Sequence, residues 1–400
     1  MSARRDFDVL IAGGGMVGAA LAALLASGAA TRALRVALVE PQAALPPQPS
    51  EPLELRVSAL SRAGERLLLA VGAWPLLAPR QPCPYERMIV WDEASPAAGA
   101  ETLVFDAAEA GEPNLGHIAE NRAVAAALIE RALALGVTLL RSPVVGLELN
   151  PDAAHVALGG RTVTAGLAVA ADGAESPLRA LAGVAGEGSP YPQEAIVTHL
   201  ATELPHGHAA RQRFLATGPL GLLPLADGRV SIVWSTSPAE AGRLVALDAA
   251  AFGAAVTAAS DGVLGALTVT APRARFPLKR FNASTYVATR LVLVGDAAHT
   301  VHPLAGQGVN QGFLDVLALA AELGRAVAAG EDPGDARPLG RYARARRADN
   351  ALMGAALDGI FRAFTDERAV VRTGRRLALR LVNRAQPLKR LLIDRALGVP

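Results

Sequence analysis

A single cysteine, Cys83, in 400 residues excludes an intramolecular disulfide, and no Cys/His cluster has the spacing of a zinc site. Cys83 lies in a loop between Pro82 and Pro84 and reads as a structural thiol rather than a catalytic one. Neither charge sign dominates: 39 Lys and Arg against 37 Asp and Glu leave +2, which argues against a dedicated nucleic-acid binder. Aromatic residues are scarce at 4%, so the apolar fraction of 51% is carried by Ala, Leu and Val. Charge is missing altogether from Val9 to Ala30, directly after Arg4 and Arg5, a pattern that a hydropathy window takes for a signal peptide or membrane anchor. Asp6 and Asp8 sit wrongly for a signal sequence, and glycines at 13, 14, 15 and 18 would weaken a spanning helix. The segment reads instead as a buried strand and helix, with a cytoplasmic location expected. The length predicts about two or three domains around a large core.

What is present begins with FDVLIAGGGMVGAALAALLASG. Phe7 to Ala12 predicts a strand, Gly13-x-Gly15-x-x-Gly18 a tight turn into a helix, and Arg35 to Val39 a second strand ending at Glu40. In a βαβ dinucleotide unit the first glycine makes the turn, and the second lets backbone N–H groups approach a pyrophosphate. The third lets helix and strand pack closely, and an acid at the second strand's end accepts from ribose hydroxyls. A second nucleotide-type element lies nearly 300 residues later: the apolar run Leu291 to Val294 ends in Gly295-Asp296, then reaches a Pro/Gly loop opening an apolar helix. Two such elements imply one extended, flavin-sized ligand, with a helix N-terminus offering free N–H donors.

Between them, a Pro-rich loop (41–52) precedes Arg56 and an amphipathic helix from about Ser61 to Val71. Arg56 reads either as a surface residue or as a guanidinium closing over phosphate or ribose oxygens. Leu103 to Ile118 looks extended, Glu120 to Leu135 helical from Asn121-Arg122, and a strand pair is expected at Val137–Leu140 and Val144–Leu149. A Gly159-Gly160 turn and a strand at Leu167–Ala170 lead to AADGAESPLR, whose Asp172 reads either as a helix cap or as part of the same site. From about Gly183 to Arg275, alternating runs predict an antiparallel sheet. The tail 341–400 is helical in pattern and holds 14 Lys/Arg against 5 Asp/Glu, a net +9. Two readings of it stand, a solvated face meeting another subunit and attraction to an anionic membrane surface.

GGGMVG (13–18) with Glu40, ADGAESPLR (171–179) and GDAAHTVHPLAGQGVNQG (295–312), in that order, resemble the single-component FAD-dependent aromatic hydroxylases whose archetype is para-hydroxybenzoate hydroxylase. The strings RVSALS (56–61), GHIAENRAV (116–124), QRFLATGPLGLLPL (212–225) and ARARRADN (343–350) resemble the ubiquinone-biosynthesis members, the UbiH, UbiF, UbiI and Coq6 group. VWDE (90–93) with LGHIAEN resembles most the UbiI-type C5 hydroxylase, with the C1 and C6 enzymes as alternatives. The resemblance covers nearly the whole chain, and its AHTVHPLAGQGVN wording is the most specific part.

The resemblance implies that Gly13, Gly15, Gly18 and Glu40 bind the ADP half of FAD, and that Arg56 and Arg122 contact the cofactor. It implies that Asp296 hydrogen-bonds the ribityl and pyrophosphate region, and that Pro303, Gly306, Gly308, Val309 and Asn310 line the isoalloxazine ring. Asp172-Gly173 matches the family's Asp-Gly motif, linked to flavin and reduced nicotinamide. The stretch NQGFLD (310–315) departs from the family: Gln311 stands where Leu is common, and Leu314 where Arg is frequent, which puts the geometry beside the flavin in question. The implied activity is a monooxygenase reaction in which NAD(P)H reduces FAD, O2 is activated as a flavin C4a-hydroperoxide, and a polyprenylphenol is hydroxylated. No catalytic base and no metal are assigned. His299 and His302 read as loop-shaping residues, and the protein's task is to exclude water.

The expected fold is α/β. A Rossmann-like FAD-binding domain is discontinuous (1–75, 100–182 and 276–340), an inserted antiparallel-sheet substrate domain takes 76–99 and 183–275, and a helical C-terminal region takes 341–400. Expected partners are the polyprenylphenol, O2, other ubiquinone-biosynthesis enzymes or a peripheral membrane contact, and a second copy of the chain, with no nucleic acid. The competing readings are a nicotinamide dehydrogenase and a flavin epoxidase, halogenase or hydrocarbon reductase. Also competing are a hydroxylase of a different aromatic substrate and a flavin-loaded, non-catalytic assembly subunit.

Overall fold

A computed structural model describes residues 5–300, 307–365 and 385–398. Its first sheet is built on β1 (Phe7–Ala12) and β2 (Val36–Val39), parallel neighbours with Ala12 beside Val39. On the other side of β1 lies β11 (Arg161–Ala170), Ala170 beside Ala12, and beyond it β19 (Leu291–Leu293), Leu293 beside Ala170. The edges are β8 (Thr138–Leu140) next to β2 and β18 (Val287–Ala288) next to β19. These central strands are short apolar runs, and every residue of β2 and β19 is buried, as a parallel sheet covered on both faces requires. The helices α1 (Met16–Ser27), α3 (Asn121–Ala134) and α7 (Gln307–Ala328) pack together over it. Small side chains let α1 come close: Ala19, Ala20, Ala22 and Ala23 are fully buried.

The strands at 138–140 and 144–149 do not pair with each other as expected. β8 follows the crossover helix α3 and extends the parallel sheet. β9 (Val144–Leu149) pairs antiparallel with β10 (Ala154–Leu158), which turns at Gly159-Gly160 into β11. The expected extended run from 103 to 118 is interrupted by a 3-10 turn at Ala107–Ala110.

The second sheet runs β20 (His299–Thr300), β17 (Ala274–Ala283), β12 (Gly186–Thr202), β15 (Val230–Thr236), β14 (Gly218–Pro224), β13 (Ala209–Leu215), β5 (Arg87–Asp92) and β6 (Leu103–Asp106). β16 (Leu267–Val269) joins the end of β12, and all pairs are antiparallel except β13 with β5. On one face Ile196, Leu222, Ile232 and Trp234 pack under Leu244 of α5 (Pro238–Ala246) and Phe252 of α6 (Ala249–Ala259). The alternate residues face the rest of the molecule. Phe276 lies 6.0 Å from the Arg56 guanidinium carbon, and Phe214 stacks on Phe364 at 3.7 Å.

A third sheet, β3 (Val57–Ser61), β7 (Gly116–Glu120) and β4 (Cys83–Tyr85), bridges the two larger ones through Ala59, Ile118, Cys83 and Leu225. α2 (Arg62–Ala70) leaves β3 under a Ser61 cap, and α4 (Pro177–Leu181) follows the Asp-Gly motif. α8 (Ala336–Thr365) runs from the first sheet to the second, and α9 (Gln386–Leu397) packs Ile393 and Leu397 against Ala107 and Leu115. Among the described residues no helix is long and apolar enough to cross a membrane.

Candidate cofactor site

The parallel register decides where the motifs meet. Because Ala12, Val39, Ala170 and Leu293 lie side by side, the residues that follow them (Gly13, Glu40, Ala171-Asp172 and Gly295-Asp296) emerge along one sheet edge. This is the carboxyl edge of the strands, where open α/β sheets bind ligands. Gly13 has φ +106, and a Cβ there would lie 2.3 Å from the Ala171 carbonyl oxygen, so the first and second motifs touch through backbone. A Cβ on Gly18 would lie 1.9 Å from the Gly13 oxygen. The late turn joins them through Val17, whose methyls would meet a Cβ on Gly295 at 3.2 Å and one on Gly312 at 2.5 Å.

Helix α1 opens at Gly15 with no side-chain cap and no acid in its first turn. Its first N–H groups therefore have no intrahelical acceptor. A Cβ added at Gly15 or Gly173 would meet no atom within 4 Å, leaving an open cradle in front of those donors. Glu40 braces this loop, its Oε2 accepting from Gly14 N at 2.8 Å and its Oε1 from Gln42 N at 3.0 Å. A carboxylate has about four lone-pair positions, so capacity for ribose hydroxyls remains. An uncapped helix end, open glycines and a free-handed carboxylate fit the pyrophosphate and ribose of a dinucleotide.

Asp296 is exposed to solvent but crowded by protein, and that crowding pushes its pKa above 3.8, against the pull of His299 and Arg56. The carboxyl therefore sits on the floor of a recess, within the field of the Arg56 guanidinium. Arg56 is itself exposed. Arg122 stands beside it, since the Arg56 carbonyl accepts from Asn121 N at 3.1 Å. Its Nη2 pairs with Glu51, its backbone N–H donates to Glu54 at 2.9 Å, and its Nε is buried with no partner among the described residues.

Other expected residues turn out to be engaged by protein. Asp172 accepts from Ser176 Oγ and from Leu178 N at 2.9 Å, which makes it the local brace of α4, and burial raises its pKa. Asn310 is buried and spends its amide on β3, accepting from Ser61 N at 2.9 Å and donating to the Ala59 carbonyl at 2.8 Å. Val309 packs against the first sheet's core, whereas a Cβ at Gly308 in the first turn of α7 would meet no described atom within 4 Å. Pro303 and Gly306, with His302, lie outside the described residues.

Sequence reasoning missed two groups. Arg179 bridges the second and third motifs, donating to Ala174 O at 2.7 Å and Ala297 O at 2.8 Å while lying 4.1 Å over the Phe281 ring. Asp315 is fully buried, accepts from Gly295 N and Arg346 Nε, and contacts His299 Nε2 at 2.6 Å, so that His299 shapes the loop. Neighbouring His299 and Arg346 hold its pKa down at about 2 despite burial. Arg346 belongs to the basic run at 343–350, which is the one signal that pointed to it.

A family model described as an FAD binding domain matches residues 117–352. The chain is similar to 3-demethoxyubiquinol 3-hydroxylase of Escherichia coli K12, 36% identical over 395 residues, covering 98% of each protein. It is similar also to ubiquinone hydroxylase UbiL of Rhodospirillum rubrum, 37% identical over 403 residues, covering 99% of this chain and 91% of the relative. In three dimensions it resembles p-nitrophenol 4-monooxygenase PnpA of Pseudomonas putida DLL-E4 with a TM-score of 0.78 over 98% of both chains. At 17% identity that likeness shows the fold alone.

Proposed function

The chain belongs to the family of FAD-dependent hydroxylases of ubiquinone biosynthesis, and from that premise we propose that it hydroxylates the aromatic ring of a polyprenylated phenol, consuming NAD(P)H and O2. The observation that carries this is the convergence of Gly13, Glu40, Asp172 and Asp296 on one sheet edge, beside a second sheet whose inner face carries the apolar cluster of Val90 and Phe214. When bound, FAD supplies the redox chemistry that lets dioxygen attack an aromatic ring. The rest is the work of this chain's residues.

The first N–H groups of α1 and the Gly15 cradle would hold the pyrophosphate, Glu40 the adenosine ribose, and Asp296 the ribityl region. Arg56 and Arg122 would flank the phosphates. Asn310 orients the start of α7, and with it Gly308 and Val309, by its two bonds to β3. Pro303 and Gly306 would complete the ring-side wall. We assign the cofactor domain to 1–75, 100–182 and 276–340 and the substrate domain to 76–99 and 183–275. We assign the C-terminal helical region to 341–400.

The substrate would lie between the groove and the inner face of the second sheet. Val90 and Phe214 pack there with Met353 and Phe364 of α8, an aliphatic and aromatic wall suited to a prenyl tail and to keeping water out. Only one dinucleotide fingerprint occurs, so the nicotinamide would bind transiently without a domain of its own. A peripheral membrane contact would deliver so apolar a substrate.

Purified protein should be yellow, release FAD on denaturation and oxidise NAD(P)H faster when the prenylphenol is added. Absence of stimulation would favour a flavin-loaded assembly subunit. Deleting the gene and extracting lipids should show a quinone precursor one hydroxyl short, whose structure identifies the ring carbon. Normal quinone levels would overturn the pathway and leave the FAD site standing.

A further inference from the structure

Asp315 stands between the turn that carries Asp296 and helix α8. Its Oδ2 accepts from Gly295 N at 2.9 Å and meets His299 Nε2 at 2.6 Å, so one oxygen holds both ends of the five-residue turn at 295–299. Its Oδ1 accepts from Arg346 Nε at 2.8 Å and Asn350 Nδ2 at 3.1 Å. The Arg346 Nη2 is held by Asn350 Oδ1 at 2.7 Å and Gln311 Oε1 at 3.3 Å, which fixes the guanidinium in the plane it needs. Gln311, one of the two residues that depart from the family wording, thus has a partner on α8. Gly295 has φ +58, a conformation the clamp helps to keep.

We propose that Arg346 is a positioning residue for the cofactor: it fixes Asp315 as a charged acceptor that clamps the turn at 295–299 and so sets where Asp296 meets the ligand. The proposal rests on the reading of that turn as part of the FAD site. A buried carboxylate stripped of its cation is costly, and among the described residues Arg346 is the only Lys or Arg at salt-bridge distance from Asp315. Without Arg346 the carboxylate would be left to the His299 ring, Asn350 and Gly295 N, and the turn it clamps would loosen. The other charged and titratable groups around the pair are Asp349, which accepts from Arg346 Nη1 at 3.2 Å, and Asp296, Tyr286, Tyr342 and Arg347, with Arg56 beyond Asp296. Burial pushes Tyr286 up to about 12 and Tyr342 well above its usual value, so neither tyrosine carries charge beside the pair.

The test is FAD binding to apo-protein, followed by quenching of flavin fluorescence. Arg346→Lys should track wild type within a few-fold. Arg346→Gln should bind on the order of tenfold more weakly. The double variant Asp315→Asn/Arg346→Gln, with both charges gone, should recover most of that loss. An Arg346→Gln affinity equal to wild type, or a double variant that binds no better than Arg346→Gln, overturns the proposal. Should Arg346→Gln fail to fold by circular dichroism, the double variant decides. Folded, FAD-binding protein supports the charge pair, and an equally unfolded one overturns it. Wild-type protein that takes up no FAD refutes the cofactor reading itself, whereas FAD-binding wild type beside an unrecovered double variant refutes only this inference.

Discussion

Gly15 and Gly18, three residues apart, separate binding from folding. A methyl on Gly18 would sit 1.9 Å from the Gly13 carbonyl oxygen, backbone against backbone, so α1 must move off β1. Gly18→Ala should therefore destabilise apo-protein by about 1–3 kcal/mol, the range for overpacked cores, read from its thermal midpoint. A methyl on Gly15 meets nothing within 4 Å and its φ of −66° suits alanine. Gly15→Ala should leave apo stability within about 1 kcal/mol while lowering FAD affinity at least about tenfold, because the methyl fills the phosphate cradle. Asp296 makes the opposite trade. Its folded pKa lies above 3.8 because protein crowds it, so its contribution to stability falls as pH rises through that folded value. At neutral pH the charged carboxyl is a liability to the apo-fold. Asp296→Asn should raise the apo melting temperature at pH 7 yet not at about pH 3, where the acid is protonated in both states. The same variant should weaken FAD on the order of tenfold, the loss of one charged hydrogen bond. A variant that melts lower at pH 7 would refute the recess.

At the level of elements, α7 is tied to β3 by one side chain. Asn310→Ala would strip buried Ser61 N and the Ala59 carbonyl of their amide partner, at a cost of about 2–3 kcal/mol. Urea denaturation of apo-protein measures it, and Asn310→Asp should recover little because it keeps the acceptor and loses the donor to Ala59. What the sequence made legible was local. A buried strand, its glycine turn and the following helix are consecutive in the chain, so β1, α1, β2 and the β19 edge could be read from apolar runs and small residues. The three motifs could be ordered, and their common edge follows from parallel register. Ties across the chain left no such trace. Arg179 reaches Ala297, and Asp315 gathers His299, Arg346 and Asn350, through side chains with no period and no fixed spacing. Asp172 and Asn310 show the reverse: their motifs were legible in the sequence, yet their polar atoms brace the protein. Pairing of distant strands was equally hidden, as with β5 lying parallel to β13 more than a hundred residues later.

At the scale of the whole molecule, α8 is a long helix whose side chains touch both large sheets. Near its start Tyr342 donates to the Leu293 carbonyl of β19 at 2.9 Å, and Arg346 holds Asp315. Further along, Asp358 accepts from Tyr191 Oη at 2.6 Å and from Arg280 Nη1 at 2.8 Å, and Phe364 stacks on Phe214. Several cations of the basic C-terminal region are consumed internally: Arg341 by Glu322 and Glu331, Arg346 by Asp315, and Lys389 by Glu109. The sequence's +9 therefore overstates what this region offers to a membrane or partner. A helix fixed at one end to the turn at 295–299 and at the other to the second sheet sets the distance between them. Productive hydroxylation requires that distance to be held while water is kept out. Asp358→Ala removes the polar half of the far attachment, leaving Phe364 on Phe214, and touches none of the residues proposed to hold FAD. It should keep FAD affinity within about twofold, since the contacts that bind it are unchanged. It should nevertheless divert a larger share of the NAD(P)H consumed into hydrogen peroxide, measured as the oxygen returned by catalase against product formed. If coupling stays at the wild-type ratio while FAD binding is lost, α8 serves only to anchor the cofactor sheet, and the two sheets are kept in register by the bridging strands β3, β7 and β4.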